Sequence, residues 1–403
     1  MFRPYSSGQR FVRRLSRLNR IALVRPYLIA LLAVVWLAAA CTSSGDFKDV
    51  IESITSDPAG AAAPSTSVRV SVAVTTSAPT EPVTRVAPLT GREADIEPAW
   101  PALVVKIDNH DRARPQFGIN QADIVFEEIV EGGITRLAAV FHSQQADPVG
   151  PVRSARTSDF DLLSNLNRPL FANSGGNEIV LLLLREIEMI DVSVNAAVDA
   201  YYRLDERRAP HNLLTDTHAL WAAGARGGGE PTSLLSFRED RDPPLDSANR
   251  SAGVRIDFGS NEVEFKWDPS SAGWLRSQNG TPHVDADGLL VAPANVIVQF
   301  VSYGRSVANS ASPEAQLVGE GVVWVFTNGQ LIEGTWSRPT PTDVTALMDV
   351  AGEPITITPG RTWIELPRIG QVTRLEDVES LSGGEAPLVG DPDAQNKDGD
   401  AGS

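Results

Sequence analysis

The chain of 403 residues has one cysteine, Cys41, so it has no intramolecular disulfide and no cysteine metal cluster. Whatever folds must stand on its own apolar core. The length exceeds what one core usually holds, which predicts two folded domains with non-globular segments beside them.

Cys41 also marks a boundary. Before it come an arginine-rich start (Arg3, Arg10, Arg13, Arg14, Arg17, Arg20, Arg25), an apolar run from Tyr27 to Leu37, and Ala38-Ala39-Ala40. This is the order of an export signal. Small residues directly before a cysteine resemble a lipoprotein signal, in which the cysteine becomes an acylated N-terminus held by two or more chains. The pattern departs in one place: Ala38 stands three positions before the cysteine, where leucine is usual, and Leu37 lies one step further out. The alternative is an uncleaved signal anchor, although the apolar run is shorter than the roughly 20 residues a span prefers. Under either reading the arginines stay in the cytoplasm and everything after Cys41 lies outside. The expected location is the extracytoplasmic face of the cell membrane, lipid-anchored through Cys41.

Charge narrows the partners. The chain carries 35 basic and 51 acidic residues. Removing the seven leading arginines leaves 28 basic residues and a formal charge of −23. So acidic a chain repels nucleic acid phosphates and anionic lipid headgroups, which excludes nucleic acid as a bulk partner. Small basic pockets stay open as sites for anions.

The pattern along the chain predicts an α+β protein. Residues 1–40 form the signal and 41–86 a tether rich in Ser, Thr, Ala and Pro, spanning on the order of 35 to 40 Å. Residues 87–225 form a mixed α/β N-terminal domain and 226–250 a connection. A smaller, mostly antiparallel all-β domain follows over 251–382, and then a polar acidic tail over 383–403. In the first domain, strands are expected at Leu103–Ile107, Ala122–Val130 and Ile134–His142. The last two make a hairpin with Arg136 and Glu127 or Glu128 near a solvated face. Ser158 with Asp161 resembles a capping box opening a short helix through Leu166. Leu170–Asn173 reads as a strand, and Asn177–Ile190 as a helix apolar nearly all round, hence buried. Thr215 onward reads as a capped helix ending near Gly224. In the second domain, Val254–Phe258 and Val263–Trp267 alternate with period two. Asn295–Tyr303 is a further strand. Val322–Phe326 and Gln330–Trp336 are joined by an Asn-Gly hairpin signal, and a last strand pair flanks Thr358-Pro359-Gly360-Arg361.

No phosphate loop, dinucleotide fingerprint, zinc-binding helix motif or nucleophile elbow is present. Four polar loops of the first domain follow strands and are the candidates for chemistry. In Asp108-Asn109-His110-Asp111 a carboxylate can orient His110 as an acid or base; the same residues also suit a plain turn. In Gly150 to Arg156, Arg153 and Arg156 precede a helix start, where guanidiniums and free backbone N–H groups suit phosphate or carboxylate. Internal pairing with Asp159, Glu127 or Glu128 is the competing use. His211-Asn212 supplies a second histidine. Asn173 to Asn177 has glycines that let backbone approach a ligand or simply turn the chain. The candidates are therefore Asp108, His110 and His211 for catalysis, and Arg153, Arg156, Asn109, Asn173 and Asn212 for binding. The spacing specifies no metal site and no cofactor. Nothing singles out Ser154, Ser158 or Ser174 as a nucleophile. Trp267, Trp274, Trp324, Trp336 and Trp363 suit either a sugar platform or a core.

These segments resemble the YerB-like family of bacterial lipoproteins. The matching residues are Val105 to Asn109, Gln121 to Glu127, Gly132 to Arg136, Gly150 to Arg156 and His211-Asn212-Leu213. Further on they are Asn328-Gly329 through Gly334-Thr335-Trp336 and Pro359 to Trp363. The resemblance runs from about Pro88 to Leu366 and implies an envelope lipoprotein with an N-terminal and a C-terminal domain. It implies no reaction and no catalytic residues. Two functions remain open: binding of an anionic envelope component or envelope protein through the arginine loop, and hydrolase or transferase chemistry on an anionic substrate.

Overall fold

Successive side chains of a strand point to opposite faces, so a strand buried at every position is covered on both sides. That is the state of β1 (Leu103–Asp108), β2 (Ile124–Ile129) and β3 (Thr135–Phe141), in which every residue is buried. The computed structural model that shows this describes residues 85–94, 100–239, 242 and 249–376. The signal, Cys41, most of the tether and the acidic tail lie outside the described residues. Among the described residues no helix is long and apolar enough to cross a membrane.

The first half continues with α1 (Asp159–Ser164), β4 (Leu170–Ala172), α2 (Glu178–Leu184), β5 (Ile190–Asp191) and α3 (Thr217–Gly224). Described elements from Gly253 onward are strands. Those of the two larger sheets are β6 (Gly253–Asp257), β7 (Glu262–Asp268), β8 (Gly273–Gln278), β9 (Thr281–Pro282) and β10 (Asn295–Gln299). They continue with β11 (Gly319–Thr327), β12 (Gln330–Arg338), β13 (Ala346–Asp349), β14 (Thr362–Glu365) and β15 (Val372–Leu375). The hairpin between β11 and β12 turns on Asn328 and Gly329, both at positive φ (47° and 74°), as a two-residue primed turn requires.

The two halves do not form separate sheets. One ten-stranded sheet runs β13-β12-β11-β10-β14-β2-β3-β1-β4-β5, and its seam is the parallel pairing of β14 with β2. A second, five-stranded sheet runs β9-β8-β7-β6-β15. One apolar core lies between this sheet, α3 and one face of the large sheet, with Trp363, Phe265, Trp274 and Trp221 in it. The other lies on the opposite face beneath α1 and α2, around Phe126, Phe171, Leu163 and Ile364. Both faces of the central strands are therefore occupied.

Several expectations change. Glu127, Glu128 and Arg136 are buried, at 0, 0 and 5% exposure, because the hairpin has no solvated face. Ser158 makes no side-chain cap; its hydroxyl accepts the Ala315 N–H instead. α2 stops at Leu184 and exposes Ile179 and Leu182, so an all-round apolar helix here is only half covered, and Ile190 belongs to β5. The strand expected over Asn295–Tyr303 ends at Gln299. The segments around Thr358–Arg361 do not pair with each other: Thr356–Ile357 pairs with Ser236–Phe237, and β14 pairs with β10 and β2. Trp274, Trp336 and Trp363 are core residues, with Trp267 and Trp324 packed at its margin.

Candidate functional site

β1 and β4 are parallel, β3 is antiparallel to both β1 and β2, and β14 and β10 run parallel to β2. The carboxyl ends of β1, β4, β2, β14 and β10 therefore meet at one edge of the large sheet, the edge where open sheets usually place ligands. Asp108 ends β1, Glu131 follows β2, Asn173 follows β4, and Arg136 stands near the start of β3 at the same edge.

The loop from Gly150 to Arg153 reaches this edge by joining the sheet. On β1, β4 covers only Leu103–Val105, which leaves the backbone groups at the end of β1 for another partner. Asp108 N donates to Pro151 O and Arg153 N to Lys106 O, at 2.9 and 2.8 Å. On the outer side Val152 N donates to Leu213 O at 2.7 Å. Gly150 is required for this approach. Its φ is +142°, and a Cβ there would meet Leu213 O at 2.9 Å. Two layers of backbone thus carry Arg153 and His211 to Asp108.

Asp108 Oδ2 is shared between them. His211 Nδ1 lies 2.7 Å away, and Arg153 Nε 3.1 Å away. The arginine contact is charge attraction without hydrogen-bond geometry. Asp108 Oδ1 accepts the His110 N–H. In the tautomer that donates its Nδ1–H to Asp108, His211 carries its lone pair at Nε2. His110 does not pair with a carboxylate. Its Nδ1 caps the turn at Asp111–Ala113 by accepting from Arg112 N, and its ring stacks on His211 with centroids 4.7 Å apart.

Arg156 is tied to Glu131 through Nε and Nη2, and its Nη1 donates to Ala155 O. Burial works to raise the Glu131 carboxyl, but the Arg156 and Ser312 hydrogen bonds outweigh it and bring the pKa to about 2. Arg136 donates to Ser154 O at 2.8 Å and has no carboxylate at ion-pair distance among the described residues. Burial, followed by the charges of Arg156 and Arg153, lowers it to about 10. Three guanidiniums thus face two carboxylates, Asp108 and Glu131.

The three asparagines among the candidates hold structure. Asn109 donates to Glu127 and Thr135, Asn173 accepts from Gly175 N, and Asn212 bonds Arg203, Leu204 and Arg207. The arginine partners expected from sequence are also different: from the arginines Asp159 takes a single contact, the Arg156 backbone N–H, and Glu127 and Glu128 meet neither Arg153 nor Arg156. Glu127 binds Arg276 of β8 at 2.7 Å, and Arg276 lies over Trp363. Glu128 and Asp159 enclose Lys106. Burial opposes the Lys106 cation, but Asp159 and Glu128 outweigh it and raise its pKa. Sequence reasoning missed this network; its signal was charged residues set inside otherwise apolar strands. No group of three or more His, Cys, Asp or Glu suited to a metal occurs among the described residues.

The fold and this edge define a two-part sheet protein with a mixed Arg, His and Asp site. Residues 89–229 match the N-terminal domain, and 254–364 the C-terminal domain, of the family described as "Protein of unknown function (DUF3048)". The chain belongs to that family, the YerB-like proteins. It is 32% identical over 292 residues to YerB of Bacillus subtilis (strain 168), provisionally named a lipoprotein, covering 70% of this chain and 85% of the relative. The crystal structure of YerB from Bacillus subtilis superposes with a TM-score of 0.64 at 27% identity, over 72% of this chain and all of that one.

Proposed function

We propose that the protein is a lipid-anchored lipoprotein of the extracytoplasmic membrane face, whose carboxyl-edge site binds an anionic group of an envelope component or partner protein. The observation that carries the site is the excess of Arg136, Arg153 and Arg156 over Asp108 and Glu131 in a chain of net charge −16. A partly buried cation excess is satisfied by an incoming phosphate or carboxylate, and fork-shaped donors suit both. The order of Arg-rich start, apolar run and Cys41 supports the anchor, as does the name of the relative.

Titrating the full chain with inorganic phosphate and with polyphosphate tests the site. Binding weakens by about tenfold or more in Arg153→Gln, the cost of one charge-assisted contact. Equal binding by wild type and Arg153→Gln rejects the reading. For the anchor, Cys41→Ala releases the protein from membranes or leaves an unprocessed precursor, whereas unchanged processing and lipid labelling reject it.

The 2.7 Å contact of His211 Nδ1 with Asp108 supports a second reading, a hydrolase or transferase. Here His211 Nε2 acts as base or acid, Asp108 holds the ring, and the arginines hold an anionic substrate. This reading expects turnover that His211→Asn removes while phosphate binding persists.

A further inference from the structure

A second cavity lies away from the Arg, His and Asp edge, between α1, the Leu234–Leu235 segment and the face of the large sheet that carries Phe126 and Ile364. It is narrow, about 30 Å³, which is space for roughly two or three waters. A Val- or Leu-sized side chain fits such a slot; a ring or a long acyl chain does not. Its apolar walls come from both halves of the chain: Phe126, Leu162 and Leu234 from the first, Ile297, Leu347 and Ile364 from the second.

Two polar side chains line this apolar slot without using all their hydrogen-bonding groups within the protein. Gln299 is 6% exposed, and its amide has no protein partner among the described residues. Arg338, at 4% exposure, gives Nη2 to the carbonyls of Asp161 and Pro341, while its Nε has no partner. Asp161 and Asp343 act on Arg338 through space, but neither comes within ion-pair distance. A buried guanidinium offers five donors and is costly without an anion. A wider cavity of about 390 Å³ shares Leu234, Leu235, Thr345 and Leu347 with the slot and continues along Ser233–Ser236 and Val344–Met348.

We propose that this cavity binds the C-terminal end of an extended peptide. The last side chain, of Val or Leu size, enters the slot; its carboxylate meets Arg338, and Gln299 takes the last peptide group. The preceding residues lie in the wider cavity. The shape excludes bulkier apolar ends, and the Arg338 charge selects a free carboxylate over an amide.

The full chain is titrated with acetyl-Gly-Ala-Leu bearing a free carboxylate, with the same peptide as its C-terminal amide, and with isovaleric acid. The acid peptide is expected to saturate and to bind about tenfold or more tightly than either of the others. Arg338→Gln removes the preference for the acid. Because Arg338 also pins α1, Leu347→Trp serves as a second variant: it fills the slot from the half-buried β13 and abolishes binding while the fold persists. Equal binding of acid and amide peptides overturns the proposal, as does isovaleric acid binding as tightly as the peptide or unchanged binding in Leu347→Trp. No saturation below about 10 mM overturns it as well. None of these readouts involves Arg153 or His211, so they are independent of the edge site.

Discussion

Glu365 of β14 stands opposite Glu127 of β2 in the parallel register that joins the two halves of the large sheet. Both are fully buried. Glu127 takes Arg276, Asn109 and Thr135 as partners, whereas Glu365 meets no cation or amide donor and faces only the Glu127 carboxyl. Burial first, then the Glu127 charge, push the Glu365 carboxyl well above the usual carboxylate range.

The consequence is a pH slope of defined sign. Above the ordinary Glu value of 4.5 the unfolded chain releases this proton and the folded protein keeps it, so this residue makes stability fall as pH rises from there. Glu365→Gln is neutral at every pH and lacks that contribution. Urea unfolding at pH 5 and pH 8 is expected to show the variant more stable at pH 8, by about 1–3 kcal/mol, with a smaller gain at pH 5. A variant destabilised equally at both values contradicts the assignment.

Glu131 gives the opposite sign. Its pKa, lowered from 4.5 to about 2 by Arg156 and Ser312 against the effect of burial, means that its contribution is present above 4.5. That contribution is lost as pH falls toward 2. Glu131→Gln therefore lowers the urea midpoint at pH 7 and leaves it near wild type at pH 2. Its side chain is 35% exposed, so added salt shrinks the difference.

Lys106 is enclosed by Glu128 and Asp159, all three side chains at or below 1% exposure. Lys106→Met keeps the bulk and leaves two buried carboxylates without their cation, an expected loss of about 3–5 kcal/mol. The triple change Lys106→Met, Glu128→Gln, Asp159→Asn recovers much of it. A single variant as stable as wild type in urea titration rules out an ionised triad.

Gly150 sets the approach of the 150–153 loop to β1. Gly150→Ala introduces a Cβ against Leu213 O at positive φ, and the expected cost is about 1–3 kcal/mol. Anion binding at Arg153 falls with it, because the same loop carries that side chain. Full stability together with full phosphate binding in this variant contradicts that geometry.

Local signals carried far. Alternation and apolar runs marked β1, β2, β3, β6 and β7, Asn328-Gly329 marked the hairpin, and the capped helix expected from Thr215 is α3, whose cap is Asp216 accepting from Ala219 N. The contact of His211 with Asp108 was legible only as a pairing of residue types, since 103 positions separate them. His110 and Asp111, adjacent in the chain, were equally plausible on paper and play other parts.

By itself the sequence determined the positions of most strands and the Asn328-Gly329 hairpin, because these depend on residues within a few positions of one another, and its single cysteine excluded an intramolecular disulfide. The tertiary structure alone decided that β14 inserts beside β2, joining two apparent domains into one sheet. It also decided that Glu127, Glu128 and Arg136 are buried and which carboxylate each arginine meets. Those outcomes depend on what covers the second face of a strand and on which distant backbone satisfies its free edge. Neither is encoded in the spacing along the chain.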